Sequence, residues 1–505
     1  MKTRNCRPAR CLSILGTGSD VGKSIVVTAL CRIFSNRGIR VTPFKAQNMS
    51  NNSYVTNQSG EIGRAQVAQA EAARAPLHTD MNPVLLKPCS DTGAQVVVHG
   101  RAQGTSQARQ YFTDTTFLFG EARNALERLR RQFDLVILEG AGSCAEVNLR
   151  ERDFVNFRMA HTCGAPVILV ADIDRGGVFA QIVGTLEVLP PEDRACIKGL
   201  VINRFRGDAA LFKDGIDYIQ NRTGLPVLGL IPFFYDIKID SEDGMPLETK
   251  IDPPDGPVPG KINIAVLRVP HISNFTDFDP LSREPSVCLH YLTRPRALEN
   301  YDLLILPGSK NVCTDLQWLR EQGWETQIRT FAEANGCIGG ICGGYQMLGR
   351  TILDPNGVEG LSGRTNGLDL LPVSTTLMQE KTLAHTQGRW LANDMIVKGY
   401  EIHMGITKQP KTLKPLIRRN DGSKEGTRSI DGRIWGTYLH GLFDALSFRR
   451  AFLADLAPGR YTPGDSDTKL STDAFKDRQY DLLAEHIETH LDMDTLLQIL
   501  ERNYL

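Results

Sequence analysis

The sequence predicts an α/β protein made of two successive doubly wound domains followed by a helical C-terminal segment. Three observations carry this. Two separate series of short, almost wholly apolar runs alternate with helical patterns. A Pro/Gly-rich break lies between them. And 505 residues exceed what one hydrophobic core holds. Lys+Arg and Asp+Glu both count 58, a formal net charge of +0, so no global field favours nucleic acid or an anionic membrane, and neither is expected as a partner. The eleven cysteines are scattered, with no C-x-x-C spacing, which argues against a disulfide framework or structural zinc. No run approaches the roughly 18 apolar residues of a membrane helix, and the basic N-terminus lacks a secretory apolar core. A cytoplasmic protein with reduced thiols is expected; a homo-oligomer is left open.

The first series is "CLSIL", "IRVTPF", "FDLVILEG", "APVILVADI", "IKGLVINRF" and "LPVLGLIP". Runs this apolar suit strands covered on both faces, hence a parallel sheet over residues 1–250. "KIDPPDGPVPGK" contains four prolines and two glycines, which marks a linker at 251–260. The second series, "KINIAVLRV", "YDLLILPGS", "GCIGGICGGYQMLG", "GYEIHMG" and "RIWGTYLHGLF", gives a second α/β domain at 261–455. In 456–505, Leu and Ile recur at helical intervals, and this segment is expected to dock on the second domain.

Between the first strand and the first helix stands "GTGSDVGKS". A strand, a glycine-rich turn, Gly22-Lys23-Ser24 and a helix supply backbone N–H groups, a lysine charge and a hydroxyl for Mg²⁺, as a nucleoside triphosphate requires. The loop is one residue longer than G-x-x-x-x-G-K-[ST], and Gly16, Thr17, Gly18, Asp20, Gly22, Lys23 and Ser24 are its candidate ATP-binding residues. "LVILEGAGS" ends a strand in Glu139, placed to put a carboxylate on the metal beside Ser24. "PFKAQNMSNNS" gathers Lys45, Gln47, Asn48, Asn51 and Asn52, suited to gripping carboxylates and amides at the open end of the sheet; a polar surface loop is the plainer alternative. Glu61 is read either as a further metal carboxylate or as a solvated helix-start charge. Asp172, Asp174 and Arg175 follow a buried strand and face the ligand crevice, unless they form an internal ion pair. Asn203 ends another strand and is assigned to the nucleotide base.

In the second domain, Gly340-Ile341-Cys342-Gly343-Gly344 fits the nucleophile elbow G-x-[SC]-x-G. Small neighbours let a strained strand-to-helix turn project the sulfur, and the N–H of Gly343 contributes to an oxyanion hole. Gly308 and Ser309 of "LLILPGS" are placed to complete it. "TYLHGLF" supplies His440 as the base a cysteine nucleophile needs.

The long phosphate loop with Glu139 resembles the dethiobiotin synthetase type of P-loop protein, which phosphorylates a carboxylate with ATP. The Cys342 segment resembles a class I glutamine amidotransferase domain, which releases ammonia through a cysteinyl thioester. Many such domains carry an acid two positions after the histidine, where this chain has Leu442. The resemblance is therefore to the Cys-His dyad subgroup, and another orienter for His440 is expected: a backbone carbonyl, or Glu401 or His403 of "GYEIHMG". Taken whole, with "EGAGSCAEVNLRERD", "ADIDRGGVFAQ", "LPGSKNVCTDL" and "YLHGLFD" added, the chain resembles the cobyric acid synthase family. That resemblance implies ATP, Mg²⁺, L-glutamine and a corrinoid, adenosylcobyrinic acid a,c-diamide, amidated at its b, d, e and g carboxylates. Lys45, Gln47, Asn48, Asp174 and Arg175 are then the acceptor-binding candidates, and Ser24, Glu139 and Glu61 the metal ligands. The sister a,c-diamide synthase shares this architecture. Two other classes fit less well. A P-loop switch ATPase carries a lysine where this loop has Gly18, and a cysteine peptidase leaves the first domain unexplained.

Overall fold

The computed structural model describes residues 8–89, 93–107, 115–235, 237–239, 256–360, 363–463 and 470–502. Of the expected linker, 251–255 lie outside the described residues. The first domain is a parallel sheet of β1 (Arg10–Gly16), β2 (Val41–Phe44), β3 (Leu135–Glu139), β4 (Val167–Asp172), β5 (Ile197–Phe205) and β6 (Val227–Pro232), in the order β6-β5-β4-β1-β3-β2. The central strands are apolar at nearly every position because helices cover both faces, which leaves no solvent side for alternation. After β3 the chain crosses to the other side of β1, so the carboxyl ends of β1, β3 and β4 open a crevice at the switch point.

A smaller sheet, order Gln47–Met49, Val84–Pro88, Gly93–Val98, Arg101–Gln107, grows from the segment after β2, and a hairpin of Ser53–Val55 and Glu61–Gly63 leads into helix Arg64–Ala72. None of this was expected beyond the helix.

The second domain begins with a parallel run of β7 (Ile262–Leu267), β8 (Val287–Leu292), β9 (Leu303–Leu306), β10 (Cys337–Ile341) and β13 (Ile434–Thr437), order β8-β7-β9-β10-β13. The sheet then turns antiparallel and carries a long ribbon of β11 (Ser374–Trp390) against β12 (Ile396–Lys408). The two-residue β14 (Leu439–His440) pairs with β12, Tyr400 opposite His440. This ribbon is longer than the apolar runs indicated, because its exposed face alternates with polar residues.

The C-terminal helices, Thr472–His490 and Met493–Arg502, correct an expectation in part: the first turn touches the second domain, where Thr472 meets Arg283 and the Asp444 carbonyl and Arg283 lies over the Phe475 ring, but the apolar stripe packs on the first domain. Tyr480, Leu483, Ala484 and Ile487 join the core formed by Val26, Leu30 and Phe34 of helix Lys23–Asn36. The fully buried Arg32 pairs with Asp477, and its Nε lies 3.1 Å from Asp481. Leu491 bridges to Gly229 at β6, the edge of the first sheet. A helical apolar stripe specifies that it must be buried, not which sheet buries it, and here one face of the first sheet provides the place.

Candidate active site

At the phosphate loop, β1 delivers the chain to Gly16 and helix Lys23–Asn36 starts at Lys23. Gly22, with φ +96°, makes the turn, and a Cβ there would overlap the Asn203 carboxamide. Lys23 Nζ donates to the carbonyls of Gly18 (2.9 Å) and Gly142 (2.7 Å). Ser143 donates to the Thr17 carbonyl. The Ser24 hydroxyl donates to Glu139 Oε1 at 2.8 Å. Glu139 is 1% exposed. It also accepts from Lys45 Nζ at 3.0 Å and from the Gln69 carboxamide. Burial pushes this carboxyl up, but the Lys45 charge and the hydrogen bonds from Gln69, Lys45 and Ser24 outweigh it and hold Glu139 ionised. One hydroxyl and one carboxylate side by side suit Mg²⁺, which keeps waters and phosphate oxygens for its remaining positions.

Lys45, Gln47 and Asn48 lie on the β2 side of this carboxylate. Asn48 is buried and donates to Gln66 Oε1 at 2.9 Å. Asp174 and Arg175 lie across the loop, beyond β4. Arg175 donates to Asp20 at 2.8 Å, and Asp174 accepts from Arg206 at 2.5 Å. Arg175 therefore braces the loop's outer lip, Asp174 holds Arg206, and neither joins Lys45. Asn203 donates to the Val21 carbonyl at 2.9 Å, so its carboxamide supports the loop. Glu61 does not reach Ser24 or Glu139. It sits in a strand, fully buried, with its oxygens taken by Lys87, Ser53 and Lys381. The metal reading fails there because two ammonium groups already occupy the carboxylate.

At the second centre, β10 feeds a turn in which Cys342 adopts φ +52°, and helix Gly343–Leu348 follows. A Cβ at Gly344 would overlap the Leu306 carbonyl oxygen, and one at Gly343 would stand 2.7 Å from the Ser309 nitrogen, so only glycine lets this turn close on β9. Gly308 and Ser309 form a short strand paired with Ile272–Ser273, and a Cβ at Gly308 would be 3.3 Å from His440 Cε1. The elbow, Gly308, Ser309 and His440 are thus gathered at one point. Cys342 Sγ donates to the Ile402 carbonyl at 3.4 Å and lines one cavity with His440.

The orienter of His440 is a carboxylate, neither a backbone carbonyl nor Glu401 nor His403. Asp277 Oδ2 lies 2.7 Å from His440 Nδ1, and Asp277 Oδ1 accepts from the Gly441 N–H at 2.9 Å. Burial works against the imidazolium, but the charge and hydrogen bond of Asp277, with the Cys342 sulfur, push His440 up to about 10. A protonated imidazole between a carboxylate and a sulfur is the arrangement of a Cys-His-Asp nucleophile. Asp277 sits in a short 3₁₀ turn, Phe275–Phe278, and no spacing rule links it to a histidine 163 positions later. Glu401 is held by Arg419 and Thr386, and His403 stacks on Tyr438. A cavity of about 50 Å³ beside Cys342 and His440 is lined also by Gln346, Glu359, Lys87 and Lys381. Glu359 also lines an outer groove of about 1330 Å³.

Residues 12–247 match the CobQ/CobB/MinD/ParA nucleotide binding domain, and residues 263–448 match the CobB/CobQ-like glutamine amidotransferase domain. The chain is similar to cobyric acid synthase of Pelodictyon phaeoclathratiforme, 54% identical over 500 residues and covering 98% of each chain. It is similar also to that of Chlorobaculum tepidum, 53% identical with 97% of each covered, and to that of Methylocella silvestris, 48% identical with 96% of this chain and 99% of the relative covered. Among the described residues, no helix is long and apolar enough to cross a membrane.

Proposed function

This chain belongs to the cobyric acid synthase family, and from that premise we propose how its residues carry out the family's reaction. The protein is an ATP-dependent glutamine amidotransferase ligase of cobalamin biosynthesis, with small molecules as substrates. The acceptor is adenosylcobyrinic acid a,c-diamide, and the b, d, e and g carboxylates become amides at the cost of one ATP and one glutamine each.

In the second domain, glutamine enters by the outer groove past Glu359. Cys342 passes its proton to His440, held by Asp277, and attacks the carboxamide carbon, and His440 gives that proton to the departing ammonia. Water then cleaves the thioester to glutamate, with His440 taking up a proton. In the first domain, Lys23 and the loop amides hold the phosphates, Ser24 and Glu139 hold Mg²⁺, and Lys45 with its neighbouring amides places the acceptor carboxylate. Mg²⁺, when bound, offsets charge on the phosphate oxygens. The γ-phosphoryl group passes to the carboxylate, releasing ADP; ammonia attacks the acyl carbon, and phosphate leaves with the proton that the nitrogen loses.

The observation that supports this most is that one chain carries both the Cys342–His440–Asp277 arrangement and the Lys23–Ser24–Glu139 arrangement. Incubation with the a,c-diamide, MgATP and glutamine, followed by mass spectrometry, tests it. Four added amides are expected. Amidation of cobyrinic acid at its a and c positions would point instead to the sister enzyme, and no amide at all would sink the proposal.

A further inference from the structure

On the reading above, ammonia forms at Cys342 and is used beside Glu139, in different domains. The hairpin Ser53–Val55/Glu61–Gly63 of the first domain is pressed against the thiol site. The Ser53 N–H donates to Asn274 Oδ1 at 2.9 Å, and the Tyr54 ring lies 4.4 Å from Tyr400, which stacks on His440. Behind this contact, Glu61 accepts from Lys87 at 2.6 Å and from Lys381 at 2.5 Å. Lys87 belongs to the first domain and Lys381 to the second, and both line the Cys342 cavity. Lys381 is brought there by a bulge: the register of β11 against β12 jumps between Leu377, opposite Gly405, and Thr382, opposite His403. A bulge re-aims side chains, and this one delivers an ammonium group across the domain seam.

From Glu61 the chain runs directly into helix Arg64–Ala72, where Gln69 meets Glu139. Gln66 and Gln69 lie one turn apart on the same helix face, both fully buried. Asn48 donates to Gln66 Oε1, which leaves Gln66 Nε2 without a partner. Gln69 Nε2 is committed to Glu139, which leaves Gln69 Oε1 without one. An unpaired buried polar atom costs about 1–3 kcal/mol. A free donor and a free acceptor one turn apart fit a small molecule that both accepts and donates. Ammonia does both.

We propose that Lys87, Glu61 and Lys381 form the gate through which ammonia leaves the thiol cavity, and that Gln66 and Gln69 receive it on the way to Glu139. The proposal rests on the functional reading above. All five are positioning residues, and no bond forms or breaks during the passage. Two ammonium groups at the gate repel ammonium and admit neutral ammonia, the form that attacks an acyl phosphate. Burial, more than the Glu61 charge can offset, brings Lys87 down to about 8, which fits a tightly enclosed gate.

The test measures glutamate and amide in the same reaction for full-length Lys381→Met and Gln66→Leu, with a parallel assay in which ammonium chloride replaces glutamine. In Lys381→Met, glutamate formed per amide should rise about tenfold over wild type, while ammonia-driven amidation stays within about twofold. Gln66→Leu should raise the same ratio by less. An unchanged ratio in both variants, or a Lys381→Met protein that loses ammonia-driven amidation as well, would overturn the gate. A wild-type protein that makes no amide from glutamine would overturn the functional reading instead.

Discussion

The phosphate loop and the thiol site share a plan, a strand that ends in a tight turn ahead of a helix, but they are assembled from parts at very different separations. Gly16 to Ser24 is one continuous stretch, and its main partner, Glu139, ends the strand next to β1, with Ile14 in register opposite it. The thiol site draws Asp277, Gly308, Ser309, Cys342 and His440 from four separate segments. The electrostatics differ too. Glu139 is held as an anion by a lysine and hydrogen-bond donors, whereas His440 is held as a cation by a carboxylate. A site built from one loop survives changes far away in sequence; a site built from four segments depends on each.

The sharpest way to separate the two centres is to remove each in turn. Cys342→Ala should lower glutamine-dependent amidation by at least about 10⁴-fold while amidation driven by ammonium chloride persists, since loss of a covalent nucleophile is among the largest single-residue effects. If both activities vanish in a folded protein, the two centres are not independent. Lys23→Ala should cost about 10²–10³-fold with either nitrogen source, as removal of an electrostatic clamp does. Full activity in steady-state assays would take the loop out of the mechanism.

Asp277→Asn tests whether the distant segment matters as much as the elbow. Glutamate release should fall by about 10²–10⁴-fold, because the imidazole loses both its orientation and its counter-charge. The same substitution has a pH signature. His440 is raised from 6.5 to about 10 on folding, so its stabilising contribution is complete below pH 6.5 and disappears as pH rises through about 10. Denaturant unfolding of wild type and Asp277→Asn should therefore differ most in acid-to-neutral buffer and converge toward pH 10. A difference that grows with pH would contradict the ion pair.

The smallest effect concerns the C-terminal helices. Ile487→Ala should cost about 2–4 kcal/mol in the unfolding of the first domain. Glutamate release, whose nucleophile, base and orienting carboxylate all lie in the second domain, should hold at denaturant concentrations where amidation fails. Loss of glutamate release first would assign the helix to the other domain.

Much of this was legible along the chain. The phosphate loop, Glu139 and the elbow at Cys342 are local patterns, each tied to strand and helix ends that hydrophobic periodicity locates. Asp277 was not legible, because "NFTDFD" reads as an ordinary turn and its meaning arises only when β7 and β14 are folded into one sheet. Glu61 was misread for a similar reason: a carboxylate's role depends on which cations face it, and one of them, Lys381, comes 320 residues later. The C-terminal stripe was placed by proximity in sequence, whereas the uncovered apolar face of the first sheet decided its position.

By itself the sequence determined the two α/β domains, the phosphate loop and the nucleophilic turn, since each depends on short-range backbone geometry and on residues within a few positions of one another. Only the tertiary structure decided which acid holds His440, which lysines enclose Glu61 and which sheet the last helices cover. Those choices are made by long-range burial and by Coulomb energies at a few ångströms, and neither quantity is written in the order of residues along a chain.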